Sequence, residues 1–392
     1  MRRFVLSLCL CALFSNGFTS AALAAEVTSP VALTSRSAVL MEAGTGRVLL
    51  AKDEHVQLPP ASVTKLMVML LVMEAVSVDR IKLADMVGAG PEACKMGGSQ
   101  IWLEQGEEMS VADLMKAVSI VSANDASVAL AEHVAGSEEN FVRLMNKRAA
   151  MLGMKNTNYI NCTGLTPDDG SDRRTMTTAY DQAILAREVL KYPYVLKWTG
   201  TWIDYLRGGQ SFLRNTNNLV RFYDGCDGLK TGFTEEAGFC LVATANRAGV
   251  RLIAVTMNAP TAQARQSEIG KMFNYGFSQL KAYQFYKGGE VVAHLPVSLG
   301  QRDQVPVAVA RELSIVVDRE TTQEPAKAFY LPRKVTAPIT QGKVLGKIVI
   351  SLGKKEYARV DLIAAATVPR CGFWKTFGKV FTETFSSLFG RG

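Results

Sequence analysis

Apolar and polar positions along the chain fall into segments of different period. Two short apolar runs, Ser37–Ala43 and Arg47–Ala51, flank Gly44-Thr45-Gly46. Such a pair predicts a β-hairpin, because glycine reaches turn dihedrals without a steric penalty. Pro59-Pro60 then stop the chain, and a helix is predicted to begin near Ser62 and to run through Leu66–Val76. Lys65 and Glu74 bound the apolar part of that helix, which makes it a buried core helix and not a membrane span. Ser110 and Asp113 form a capping-box-like start for a second helix. Ser137, followed by Glu138 and Glu139, starts a third that ends near Gly153, and Thr177 or Thr178 starts a fourth that stops before Pro193.

Strand-like runs return from Thr201. The segments around 227–234, 238–246 and 250–259 read as successive strands, and Ser267–Leu280 as a helix. A strand pair, then helices, then strands, then a helix predicts an α+β domain with a mainly antiparallel sheet flanked by helices. Near Tyr286-Lys287-Gly288-Gly289 the pattern changes to short runs separated by turn residues, which predicts a small all-β domain over 284–368. In the tail, 370–392, Trp374, Phe377, Phe381, Phe385 and Leu388 recur at spacings of three and four. That stripe, flanked by Lys375, Lys379 and Arg391, predicts an amphipathic helix lying on an anionic membrane surface.

The first residues read as an export signal, 1–24. Arg2 and Arg3 precede an apolar stretch too short to span a bilayer, and Ala22-Leu23-Ala24 supplies a cleavage site. The remaining domains are therefore 25–283 and 284–368. A length of 392 residues, with 48% hydrophobic and 20% charged, suits two globular domains. The net charge of +8 suits an anionic wall or membrane. No basic run or aromatic RNA-binding signature accompanies it, so nucleic acid is not expected as a partner. Of seven cysteines, Cys9 and Cys11 lie in the signal. Cys94, Cys162, Cys226, Cys240 and Cys371 remain, an odd number with no metal-binding spacing. A Cys226–Cys240 bridge is conceivable; independent buried thiols are the simpler expectation.

Candidate chemistry rests on three short motifs. Ser62-Val-Thr-Lys65 places Lys65 one turn from Ser62, on the same helix face. A serine hydroxyl needs a base, and burial or a neighbouring cation lowers a lysine enough to serve as one. The motif is weak alone, since Ser351-Leu-Gly-Lys354 matches it inside the β domain, where a solvated strand end explains it. Ser122-Ala-Asn124 lies between two helices. Its hydroxyl can pass a proton to a leaving amine, and its amide can hold a substrate carbonyl or orient Lys65. Lys230-Thr231-Gly232 lies on a predicted strand. It offers a cation and a hydroxyl to a carboxylate, and a bare glycine along which a substrate backbone can lie.

These motifs in this order, with LPPASVTKLM, VSANDASVALAEHVAG, NYINCTGL and DGLKTGFTEEAGFCLVATA around them, resemble the low-molecular-mass penicillin-binding proteins, the serine-type D-alanyl-D-alanine carboxypeptidases. The resemblance runs from the hairpin to the tail. It implies a transpeptidase/β-lactamase-like fold and removal of the terminal D-alanine from peptidoglycan stem pentapeptides, without cofactor or metal. It also implies acylation and inhibition by β-lactam antibiotics, and a periplasmic location at the outer face of the inner membrane. By the same resemblance Ser62 is the nucleophile, Lys65 its base and Ser122 the proton relay. Asn124 holds the substrate amide, Lys230 and Thr231 receive the terminal carboxylate, and the N–H groups of Ser62 and Phe233 form the oxyanion hole. Arg265 falls where the family often has an arginine near the carboxylate. The departure is Phe233, where some members carry histidine.

Other readings compete. A class A β-lactamase usually adds a deacylating glutamate ahead of the Lys-Thr-Gly motif, and Asn158–Asp169 contains none. A D,D-endopeptidase cutting crosslinks, or a non-catalytic wall-binding scaffold, are the remaining alternatives. A metallopeptidase lacks ligands, since none of His55, His133 and His294 belongs to an HExxH motif.

Overall fold

The computed structural model describes residues 30–167 and 171–372. The expected signal and the expected tail helix lie outside the described residues, apart from the first three residues of the tail. A five-stranded antiparallel sheet forms the spine of the larger unit. Its order across the sheet is Val48–Lys52, Ser37–Glu42, Val250–Ala259, Gly238–Arg247 and Cys226–Thr234. The first two strands are the expected hairpin. Their turn is held by the Glu42 carboxylate, which accepts from the N–H groups of Gly44 and Thr45 at 2.7 Å each. Gly46 closes it at φ +77°.

Each face of this sheet carries its own core. On one, the helix Ala262–Gln279 contributes Ile269, Met272 and Phe273 against Leu40, Leu241 and Leu252. Gly276 lets it approach closely, for a Cβ there would lie 2.6 Å from Leu252 Cδ1. This helix begins five residues earlier than the apolar pattern indicates. The Thr261 hydroxyl caps it at the Ala264 N–H (3.0 Å), and its first turn is not apolar.

On the other face lies a helical layer built around Lys65–Ser77. Leu66 through Met73 in this helix are all buried, so it is apolar on every side, as a helix enclosed by others must be. Around it pack Val111–Ile120, Asn124–Ala135, Glu138–Leu152 and Ala179–Val189. Their starts follow the sequence signals. Ser110, Ser137 and Thr178 each accept from the backbone N–H three residues on, and the third helix stops at Gly153 with φ +76°.

A second unit is all-β. Its six-stranded sheet runs Ala326–Tyr330, Val344–Leu352, Lys355–Ala364, Gln304–Val309, Val291–Ser298 and Val335–Thr336. Leu280–Tyr286 pairs antiparallel with Leu313–Asp318 beside it. The strand Leu280–Tyr286 therefore already pairs within this unit, ahead of the change of pattern near Tyr286; its run of aromatic residues hides the alternation. Valine, isoleucine and leucine from alternating positions fill the core. Arg47, in the turn of the hairpin of the larger unit, meets Asp318 at the end of a β-domain strand.

Candidate active site

The strand Cys226–Thr234 is the sheet's edge, and its free side faces the turn that opens the core helix. Pro60 ends the approach, Ala61 adopts φ +48°, and Ala61–Thr64 form a single 3-10 turn before the α-helix begins at Lys65. A left-handed alanine is strained and persists only where the surroundings over-determine it. Two glycines do so here. A Cβ at Gly164 would lie 1.9 Å from the Ala61 carbonyl oxygen, and one at Gly232 would lie 2.5 Å from that of Pro60. Gly232 is therefore bare first because the strand abuts the Ser62 turn, and not only to leave room along its edge. The same packing puts the Ser62 N–H 3.1 Å from that virtual Cβ.

Within the turn, Lys65 Nζ donates to Ser62 Oγ at 2.9 Å and to the Thr163 carbonyl at 2.9 Å. Lys65 is fully buried, and this desolvation lowers its pKa from 10.5 to about 7. The ammonium is thus within easy reach of its neutral form, whose lone pair would face the serine hydroxyl. Lys230 is buried too. Burial, then the Lys65 and Arg265 charges, hold it well below its ordinary value. Its Nζ donates to the Thr231 carbonyl at 2.9 Å. Among the described residues no carboxylate forms a salt bridge with Lys65, Lys230 or Arg265, so the positive potential these groups share favours an anion at the site.

Ser122 sits at φ +67° between two helices, buried, with no hydrogen-bond partner for its hydroxyl among the described residues. Asn124 spends its amide N–H on the Gly97 carbonyl at 2.7 Å, and its Oδ1 is likewise unpartnered among the described residues. Buried polar atoms rarely stay unpaired, so both are available to a bound molecule. The amide does not bond Lys65; the Thr163 carbonyl fills that role. Thr231 donates to the Thr216 hydroxyl at 2.7 Å, which fixes its rotamer.

Arg265 is buried behind the strand. Its Nη1 donates to the carbonyls of Gly232 (3.0 Å) and Cys240 (3.2 Å), and its guanidinium lies 5.5 Å from the Phe239 ring centroid. It ties the Lys-Thr-Gly strand to its neighbour. Phe233 stacks on Phe239 at 4.3 Å and is half exposed, so its ring is turned to its neighbour on the next strand and to solvent. Among the described residues Cys94, Cys162, Cys226 and Cys240 form no disulfide. Strand register sets Cys226 opposite Ala245 and Cys240 opposite Gly232, too far apart along the sheet for a bridge.

Sequence patterning did not single out Thr163, Gly164 or Thr216. The only local signal for the first two is Asn161. Its Oδ1 accepts from the Gly164 N–H at 2.7 Å and its Nδ2 donates to the Leu165 carbonyl at 2.7 Å, an Asx turn that aims the Thr163 carbonyl at Lys65.

A family model described as D-alanyl-D-alanine carboxypeptidase matches residues 24–261, and one described as penicillin-binding protein 5, C-terminal domain, matches residues 281–370. The D-alanyl-D-alanine carboxypeptidase DacF of Bacillus subtilis is 42% identical over 88% of this chain and 89% of its own length. The structure of penicillin-binding protein 5 from Haemophilus influenzae is similar at a TM-score of 0.64 and 31% identity, over 87% of this chain and 99% of that one. Penicillin-binding protein D2 of Listeria monocytogenes, in its ampicillin-bound form, is 31% identical with a TM-score of 0.58, over 63% of this chain and 98% of that one.

Proposed function

The chain belongs to the D-alanyl-D-alanine carboxypeptidase family, and from that premise we propose that Ser62 is its acylated nucleophile, activated by Lys65. It is a serine-type D-Ala-D-Ala carboxypeptidase, a hydrolase of the low-molecular-mass penicillin-binding protein class. The observation that carries the assignment of roles is the 2.9 Å contact between Lys65 Nζ and Ser62 Oγ.

In the first step neutral Lys65 takes the Ser62 proton as Oγ attacks the carbonyl carbon of the penultimate D-alanine. The resulting oxyanion is held by the N–H groups of Ser62 and Phe233, donors of a kind typically worth ~3 kcal/mol in the transition state. The proton passes from Lys65 through Ser122 to the amine of the departing D-alanine, and the C–N bond breaks. Asn124 Oδ1 accepts from the substrate amide. Lys230 and Thr231 hold the terminal carboxylate, whose charge restores the ammonium form of Lys230 against its burial. Water, deprotonated by Lys65, then attacks the acyl carbon; its bond to Ser62 Oγ breaks, and Lys65 returns the proton to Oγ. Arg265 acts in this scheme through Gly232, by fixing the strand, and not by touching the carboxylate.

A β-lactam offers the same carbonyl and carboxylate in a ring, so Ser62 opens it and stays acylated. The relative with a β-lactam bound supports this reading. The export signal and the basic aromatic tail support a periplasmic enzyme resting on the outer face of the inner membrane. The intact set of side chains at the site speaks against a non-catalytic scaffold. Trapping the protein with penicillin and locating the added mass tests the assignment. The adduct belongs on the peptide containing Ser62, and an adduct elsewhere overturns it.

A further inference from the structure

Trp102 is the conformational outlier of the segment bound to the start of the Ser-x-Asn helix. The residue is 73% exposed, yet its backbone sits at φ +54°, a conformation an aromatic residue seldom adopts. The strain is held from two directions. On either side of it, the N–H groups of Ile101 and Leu103 donate to the buried carboxylate of Asp125, at 3.0 and 3.1 Å to Oδ2. From outside, Arg207 donates to the carbonyls of Ile101 (3.0 Å) and Trp102 (3.4 Å) while paired with Glu107. A buried carboxylate and an arginine committed to presenting one indole to solvent are devices of preorganisation, not of core packing.

The segment that carries the indole is also tied to the site. Asp125 follows Asn124 directly, the Asn124 N–H donates to the Ser99 carbonyl at 2.7 Å, and its Nδ2 donates to Gly97. The whole segment 97–103 is thus bound to the residues that begin the helix of the Ser-x-Asn motif. The catalytic reading puts the substrate carboxylate at Lys230 and the substrate amide at Asn124. The residue preceding D-Ala-D-Ala then leaves on the Asn124 side, one extended residue, about 3.5 Å, further along.

Resting on that reading, we propose that Trp102 is a specificity-determining residue whose indole face receives the aliphatic side chain of the residue preceding the D-Ala-D-Ala dipeptide. An exposed aromatic face gains by covering methylene groups, and here the loop is already ordered, so little entropy is lost on binding.

The test compares Trp102→Ala and Trp102→Phe with wild type on acyl-Lys-D-Ala-D-Ala and on acyl-Gly-D-Ala-D-Ala, which lacks the side chain. Trp102→Ala is expected to lower kcat/KM for the lysine peptide about five- to tenfold, mainly through KM. It should leave the glycine peptide within about twofold, and Trp102→Phe should keep most of the difference. Equal losses on both peptides would make Trp102 merely a brace of its loop and overturn the proposal. No loss on either peptide would overturn it as well, in favour of contact with a more distant part of the substrate or none. The rate of Ser62 acylation by penicillin, measured on the same variants, separates these outcomes from a failure of the carboxypeptidase chemistry itself.

Discussion

Gly232 lies against Pro60 so closely that a Cβ on the glycine would come within 2.5 Å of the proline carbonyl oxygen. The Lys-Thr-Gly strand and the Ser62 turn are therefore in direct backbone contact, and the N–H groups proposed for the oxyanion hole, those of Ser62 and Phe233, come from the two segments that meet there. Gly232→Ala must push strand and turn apart, at a cost of ~1–3 kcal/mol in stability. A 1 Å displacement at a reacting centre costs about a hundredfold. The expected result is a folded protein with a lowered Tm and kcat reduced by about that factor, read by D-alanine release and thermal melting.

The depressed pKa of Lys65 sets a pH dependence. If the neutral amine is the base, as proposed, kcat/KM should rise with pH through a midpoint near 7, the value to which burial lowers Lys65. Lys65→Arg, which stays charged, should lose activity at every pH. Stability follows with its own sign. Unfolded lysine holds its proton up to about 10.4 whereas the folded group has lost it above about 7, so the unfolded chain binds more protons in that window. Wild type should gain stability from pH 7 towards 10 relative to Lys65→Met, in denaturant titrations at each pH.

Arg265 donates one nitrogen to two carbonyls on neighbouring strands. Arg265→Ala removes this donor from both carbonyls, at ~1–3 kcal/mol in total. The measured Tm should fall, and activity should fall with it as the strand loosens. A variant with unchanged Tm and a raised KM alone would show a direct contact with the substrate carboxylate instead.

The tail carries a separate proposal. Deleting 373–392 removes the aromatic stripe and its lysines, so the shortened protein should move from the membrane to the soluble fraction while keeping its turnover of small peptides. Unchanged membrane fractionation would remove the basis for a tail anchor.

Much of this was legible in the sequence for identifiable reasons. Caps at Ser110, Ser137 and Thr178 announce helices because a short hydroxyl can accept from the N–H three residues on, a local interaction. Ser62 and Lys65 are one turn apart, so their contact is local as well. What stayed hidden depends on contacts between distant segments. The Thr163 carbonyl reaches Lys65 across 98 positions, and Arg265 reaches Gly232 across 33. Nothing in residue type distinguishes an arginine that binds a carboxylate from one that braces a strand. Trp102 shows the same limit: its apolar character suggests a core residue, and only the positions of Asp125 and Arg207 reveal that it is held outward.

The most direct test is D-alanine release from acyl-Lys-D-Ala-D-Ala by the mature chain, measured beside Ser62→Ala. Wild type is expected to release D-alanine, and the variant, folded to the same Tm, to release none above background. Release that persists in Ser62→Ala would contradict the assignment of the nucleophile, and with it the chemistry built on the Ser62–Lys65 contact.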